Sequence, residues 1–460
     1  MAVLETRARG MRTSTGTNRT VRSPQPEKGV AQVVAGLLGA DLPVALRAYD
    51  GSRVGPDPAP ATIVLHSPDA LRRIVTAPGE LGLSRAYVSG DLDLEGDTFA
   101  VLDLRHQLEG LDVGWRQVLE LLRVVGLNGL RPLPAPEEEA RPRGWLHSRQ
   151  RDAAGISHHY DVGNEFYELL LGPSMTYSCG VWTDPTGPPP EGLEQAQFAK
   201  YELISRKLAL EPGMRLLDVG CGWGGMVRHA ARHHGVRAVG ITISVEQARW
   251  ARAEVEREGL SDRVEIRVQD YRDVRDGPFD AISSIGMFEH VGRSRLRSYL
   301  RQLHRLLLPE GRLLNHAISR PPGEGERIDP NGFMGRYVFP DGELIEVGAV
   351  VTAMQQNGLE VRHVESLREH YALTLRSWLA NLEHDWDRAV ELVGAPRARI
   401  WRLYLAGSAV YFEDGLISIN QVLAVKPNGG RSGLRLRPDW EAAPLDVAAD
   451  AADGRVIVLT

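Results

Sequence analysis

Cysteine is nearly absent from this 460-residue chain: Cys179 and Cys221 are the only two, too few for a disulfide framework. That scarcity suits a reduced, cytosolic setting. No apolar run approaches the ~18–20 residues that a helix needs to cross a bilayer. Arg7, Arg9 and Arg12 are followed by no hydrophobic stretch, so no secretory signal is visible. A positive excess is also missing. Lys and Arg total 54 against 60 Asp and Glu, a net charge of -6, which argues against a nucleic-acid partner. Lysine itself is rare, since 50 of those 54 are Arg. No internal repeat, local Ser-His-Asp arrangement or metal-ligand spacing is present. The pair His158-His159 sits at i, i+1, where side chains diverge on any regular element, and no metal is expected.

What is present is enough apolar residue, 43%, to build a large core, and enough length for two or three domains. Residues 1–28 carry six basic side chains against two acidic ones. They read as a disordered tail, with a weak tether to anionic lipid as the alternative. An ordered N-terminal domain over 29–130 follows, smaller and of α+β type. It has a strand at Ala61–His66, a helix at Pro68–Thr76 and a broad apolar stretch at Trp115–Val125. That stretch suits a helix buried between domains, or a lid. The Pro- and charge-rich segment 131–145 is a linker. The second domain is placed at 146–427, and from about Leu208 its rhythm becomes strand, turn, helix, strand. Strands are expected at Met214–Val219, Arg237–Ile241, Val264–Val268, Phe279–Ser284 and Arg312–Ile318. Helices are expected at Gly225–His234, Ser244–Glu258 and Arg295–Leu307. Such alternation predicts an α/β fold with a doubly wound, mostly parallel sheet. Residues 428–460 form a tail without an assigned role.

The first strand ends in Asp218-Val219-Gly220-Cys221-Gly222-Trp223-Gly224-Gly225. Glycines there let the backbone turn sharply and bring a ligand close to a helix N-terminus. The spacing satisfies the dinucleotide fingerprint, but the tip of the second strand, Gly240-Ile241-Thr242-Ile243-Ser244, has no carboxylate to hold a ribose. An acid before the glycines, Asp218, favours S-adenosylmethionine (SAM) over a nicotinamide cofactor. Asp270, at the tip of the third strand, either faces the adenine or caps a helix. Asp280 reads as structural.

Four further segments carry a resemblance. They are His158-His159-Tyr160-Asp161-Val162-Gly163-Asn164-Glu165-Phe166-Tyr167, Met175-Thr176-Tyr177-Ser178-Cys179-Gly180, Gly240–Gln247, and Gly286-Met287-Phe288-Glu289-His290-Val291-Gly292. With the glycine loop, their order and spacing resemble the cyclopropane fatty acid synthases and mycolic acid cyclopropane synthases over about residues 155–425. The resemblance implies a seven-stranded, Rossmann-like SAM-dependent methyltransferase sheet in 146–427 and a lipid-associated role for 29–130. It implies one-carbon transfer from SAM to the cis double bond of an unsaturated acyl chain, with bound bicarbonate as the base. Mapped residue by residue, Cys179, Glu289, His316, Ile318 and Tyr371 surround that base. Tyr177, Ser178, Gly220, Gly222, Thr242, Gln247 and Gln269 join Asp218 and Asp270 at the cofactor.

Each has a plainer alternative: Cys179 as a small buried apolar group, His316 and Tyr371 as core, Glu289 as a helix N-terminal acid. Trp182, Phe288, Tyr337 and Phe339 either line the acyl channel or pack.

The wording of Gly415–Leu423 is closer to an actinobacterial branch that makes a 10-methylene chain, the precursor of a 10-methyl chain. Cyclopropane ring closure is the alternative product. The implied partners are unsaturated phospholipid acyl chains at the inner membrane face, a second copy in a homodimer and, for a methylene product, a separate reductase. A small-molecule methyltransferase and an inactive lipid-binding protein are the competing classes.

Overall fold

The computed structural model describes residues 28–39, 42–105, 120–121, 123–126, 131–140, 162–183, 192–323, 328–340 and 342–440. The tail 1–27, most of the 115–125 stretch, His158 to Asp161 and residues 441–460 lie outside them.

The N-terminal unit runs α1 (Val30–Leu38), β1 (Ala45–Ala48), β2 (Arg53–Val54), β3 (Ala61–Leu65), α2 (Pro68–Thr76), α3 (Glu80–Val88), β4 (Leu92–Gly96) and α4 (Thr98–Leu102). Its sheet has the order β2-β1-β3-β4, with β1 and β3 parallel. Helix α2 begins where the sequence signals it: the Ser67 hydroxyl accepts from Asp69 N–H, and Pro68 at the first helical position has no N–H to leave unpaired. Leu46, Leu65, Leu71 and Tyr87 are buried at its centre.

The larger unit starts with α5 (Asn164–Leu171) and α6 (Leu193–Leu208). It continues through β5 (Arg215–Val219), α7 (Gly225–His234), β6 (Arg237–Thr242), α8 (Val245–Arg257), β7 (Val264–Val268) and β8 (Phe279–Ile285). Next come α9 (Arg293–Leu306), β9 (Leu307–Ser319), α10 (Val347–Gln356), β10 (Glu360–Ser366), α11 (Arg368–His384), α12 (Trp386–Val393), α13 (Ala395–Glu413) and β11 (Ser418–Val425). The seven strands are ordered β10-β11-β9-β8-β5-β6-β7. Strands β5 to β9 pair in parallel, and β11 joins β9 and β10 antiparallel. Helices cover the sheet, so central strands such as Arg215-Leu-Leu-Asp-Val219 are almost continuously buried. Strand β9 starts at Leu307, earlier than the expected Arg312. The Pro309-Glu310-Gly311 turn signal sits inside it as a bulge, with Glu310 at φ 66° and a register step opposite Phe279 and Ala281.

The two units meet along α13, which packs on α3 and α4. Arg399 pairs with Asp93 at 2.9 Å, and Arg402 donates to the Leu94 carbonyl at 3.0 Å. The segment 131–140 is tied to both units. Arg72 and Arg73 donate to the carbonyls of Arg131 and Pro134, Arg85 grips Glu139 with two bonds of 2.9 Å, and Ala140 N–H donates to Arg336. No helix among the described residues is long and apolar enough to cross a membrane.

Candidate active site

The chain order reverses at β5, between β6 and β8, which opens a crevice at the carboxyl ends of the strands. The cleft there is lined by Gly220 and Gly222 after β5, Thr242 at the end of β6, Gln269 and Asp270 after β7, and Gly286 after β8. Tyr177, Ser178, Asp218 and Gln247 line it too, so all nine residues expected at the cofactor share one cavity. Two glycines show why the loop has this composition. Gly220 has φ 79°, and a Cβ there would press on Met287 at 3.3 Å. At Gly225, a Cβ would lie 2.1 Å from the Tyr201 hydroxyl, so this glycine serves packing beneath the loop.

Local bonds pre-set the lining. Thr242 Oγ1 donates to Gln247 Oε1 at 2.9 Å, while Ser244 caps α8 by accepting from Gln247 N–H. Asp218 is buried, accepts from Ser283 Oγ at 2.7 Å, and is pushed up to about 6 by desolvation. Asp270 caps the turn at Tyr271–Asp273 and holds Arg272 bidentately at 2.8 and 2.6 Å. The cap alternative therefore describes its bonding, although it also lines the cleft. Asp280 accepts from Arg215 N–H at 2.8 Å, a structural contact.

The five residues expected around the base do not line this cleft; they lie directly behind it. Cys179 follows Ser178 and is fully buried, its thiol pushed well up by desolvation and therefore inert as a nucleophile. Its Sγ contacts the Leu367 carbonyl at 3.7 Å, the same oxygen that accepts from Tyr371 N–H at the start of α11. Glu289, between the cleft residues Met287 and His290, accepts from Ile318 N–H at 2.6 Å. His316 lies two residues before Ile318 on β9. Glu289 Oε2 and His316 Nε2 are both buried without a hydrogen-bond partner. Burial raises the Glu289 carboxyl and lowers the His316 imidazole to about 3, with Lys200 and Lys207 adding to the latter. Near neutral pH, His316 is uncharged.

An aromatic wall links the cleft residue Tyr177 to Tyr371 through Trp378. The Tyr177 ring lies 5.2 Å from Trp378 and 5.9 Å from Tyr167 and Trp401, and its hydroxyl donates to Tyr404 at 3.0 Å. Tyr371 meets Trp378 edge-on at 6.0 Å. Of the aromatics expected along an acyl channel, Trp182, Tyr337 and Phe339 belong to this cluster. Phe288 packs instead on Tyr299 in the core of the neighbouring layer. A second, smaller cavity is lined by Tyr337, Val338, Ile400, Trp401 and Tyr404, together with Glu138 and Arg397.

Sequence reasoning missed Lys200. It is completely buried on α6, donates to Ser178 Oγ at 2.9 Å and sits 3.8 Å from the Tyr201 ring centroid. Burial drives it down to about 7, opposed by Cys179 and Asp218. A usable signal existed: two of only four lysines, Lys200 and Lys207, lie seven residues apart on one helix face, and both are buried. Also unforeseen was Glu202 accepting from His229 at 2.6 Å and His234 at 3.0 Å, the one metal-compatible group among the described residues. Imidazole protons already satisfy that carboxylate oxygen.

The sequence profile of the mycolic acid cyclopropane synthetase family matches residues 147–422, the span that holds both the cleft and the groups behind it. The chain belongs to that family. As a member of the mycolic acid cyclopropane synthetase family it is a SAM-dependent methyltransferase, in keeping with the acid-led glycine loop. It is similar to a probable fatty acid methyltransferase of Mycobacterium tuberculosis, with 49% identity over 87% of this chain and 95% of the relative. The cyclopropane-fatty-acyl-phospholipid synthase of Escherichia coli K12 is 33% identical over 82% of this chain and 91% of its own. Among solved structures, the mycolic acid cyclopropane synthase CmaA1 complexed with SAH and CTAB superposes with a TM-score of 0.55. It is 33% identical, covering 60% of this chain and 98% of that one.

Proposed function

We propose that this methyltransferase transfers the SAM methyl group to the cis double bond of an unsaturated acyl chain in phospholipid. The observation that carries the reading is the pair of buried, unpartnered atoms, Glu289 Oε2 and His316 Nε2, behind a methyl-donor cleft and beside an aromatic wall.

An alkene is a weak nucleophile, so the site must hold it against the sulfonium methyl and keep water out. Attack leaves a carbocation on the acyl chain. The faces of Tyr177, Trp378 and Trp401 offer negative π-density to a cation. The cofactor half is assigned to Tyr177, Ser178, Asp218, Gly220, Gly222, Thr242, Gln247, Gln269 and Asp270.

The two orphaned atoms fit an anion. Burial keeps the Glu289 carboxyl protonated more readily than an exposed one, and a neutral His316 can present an N–H, so both can donate. Cys179, Ile318 and Tyr371 complete the cradle in this reading, and bicarbonate is the anion proposed. When bound, it supplies the base that removes a proton from the methylated chain.

The product follows from which bond forms after methyl transfer. A hydride shift along the chain and loss of a methyl proton leave an exocyclic methylene; loss of that proton with bonding to the second alkene carbon closes a ring. The methylene branch is favoured by the wording of Gly415–Leu423. A separate reductase would then complete a 10-methyl chain. Residues 29–130 are proposed to meet the lipid at the inner face of the membrane.

The test incubates purified protein with methyl-labelled SAM and vesicles of oleoyl phospholipid, followed by mass spectrometry of the fatty acids. An exocyclic alkene carrying label supports the methylene branch. A labelled ring moves the product to cyclopropane, and no label in lipid overturns the substrate.

A further inference from the structure

Three strands place one row of polar side chains across the antiparallel edge of the large sheet. His316 on β9 lies directly opposite Gln421 on β11, and Gln421 lies directly opposite Glu365 on β10. Directly paired residues project from the same face of a sheet, so the three form a file running from the half-exposed Glu365 to the fully buried His316. Lys207, on α6, reaches this file. Its ammonium pairs with Glu365 and donates to Gln421 Oε1 at 2.7 Å. The Gln421 amide nitrogen then faces His316 Nδ1 at 3.2 Å.

The order of donors along this file is forced. An ammonium only donates, so the Gln421 carbonyl must face Lys207 and its NH2 must face the imidazole. An NH2 group only donates, so His316 Nδ1 must accept. We infer that Lys207 and Gln421 are positioning residues that hold His316 in the tautomer with its proton on Nε2, the buried unpartnered nitrogen behind the cleft. The inference deepens the anion-cradle reading of Glu289 and His316 and rests on it for its consequence. If Nδ1 carried the proton, Nε2 would present a lone pair to the anion and repel it.

Gln421→Glu tests this, because a carboxylate can accept from Lys207 and from His316 at once and so moves the imidazole proton to Nδ1. With 15N-labelled histidine, and His316 identified by the signal lost in His316→Asn, NMR of the wild-type chain should show the Nε2–H form. Gln421→Glu should show Nδ1–H, and Lys207→Met, which frees the amide to rotate, should show both. Turnover in Gln421→Glu should fall roughly 10²–10³-fold, the scale of losing one preorganised donor. SAM affinity and its KM should hold, since Gln421 does not line the cleft. A wild-type His316 seen as Nδ1–H or as imidazolium at neutral pH overturns the inference, as does a Lys207→Met spectrum identical to wild type. Undiminished turnover with the proton moved overturns its catalytic consequence. Full activity in His316→Asn would instead remove the cradle reading and leave the tautomer result standing.

Discussion

Ile318 holds Glu289 by one oxygen only: its N–H donates to Oε1 at 2.6 Å, and Oε2 is left buried with no partner. A backbone donor cannot rotate away, so the carboxyl is fixed while its second oxygen stays available. Glu289→Gln preserves the bond from Ile318 and the side-chain shape but has no acidic proton to exchange. Turnover should fall by roughly 10²–10⁴-fold, the usual contribution of a positioned acid or base. SAM binding, followed by titration of intrinsic tryptophan fluorescence, should not change. Unchanged turnover in this variant removes Glu289 from the reaction.

Lys200 should act on the cofactor rather than on the acyl chain. It ties down Ser178 Oγ and lies within electrostatic reach of Asp218, both lining the cleft. Lys200→Met removes the buried donor to Ser178 and leaves Asp218 with less reason to ionise. A charged hydrogen bond contributes about 1.5–3 kcal/mol, so SAM affinity should weaken by roughly 10–100-fold. Calorimetric titration with SAM measures it, and an unaltered dissociation constant would exclude the role.

The parts legible in the sequence were those written locally. The Asp218–Gly225 loop, the helix at Gly225–His234 and the strands on either side depend on neighbours a few residues apart, and the structure places them as the residues suggest. Asp270 was ambiguous because a strand-tip acid can cap or bind, and only the partner Arg272 reveals its bonding. The Glu365–Lys207–Gln421–His316 file was invisible. It joins residues distant in sequence through strand register and through Lys207 reaching across from α6, which no local pattern encodes. Phe288 was left open between channel and packing for a related reason: hydrophobicity signals burial but not which side of the sheet receives the ring.

Glu139 offers a test of how firmly the N-terminal unit is attached. Its carboxylate is almost fully buried and receives two bonds from Arg85 on α3, with Arg336 3.4 Å away in the larger unit. Glu139→Ala strands the Arg85 guanidinium, while Arg336 keeps its bond to Asn331. Breaking a buried pair from one side costs about 3–5 kcal/mol, and partial solvent access at Arg85 puts this case at the low end, about 3 kcal/mol. A denaturant titration should show the midpoint lowered accordingly. An unchanged midpoint would mean that the 131–140 segment contributes little to joining the units.

Two buried imidazoles should make the protein acid-sensitive above the carboxylate range. His229 is driven down to about 4 by desolvation, with the neighbouring His233 and His234 adding to it against the opposing Glu202 carboxylate. His316 is driven down to about 3 by desolvation and by Lys200 and Lys207. In the unfolded chain both titrate near 6.5. Between those values the unfolded state binds more protons, so stability is fully present above about pH 6.5 and falls as the pH drops toward 4. Each imidazole contributes a slope of up to about 1.4 kcal/mol per pH unit in that window. Glu202, held below the usual carboxylate range by its imidazole partners, adds its own loss only at lower pH. Unfolding midpoints in denaturant, taken from pH 7.5 down to 4.5, should therefore decline before the carboxylates begin to protonate. His229→Gln keeps a donor for Glu202 but cannot titrate, and it should flatten the decline by about half. A midpoint that stays level from pH 6.5 to pH 5 would show that both rings already carry their protons in the folded protein.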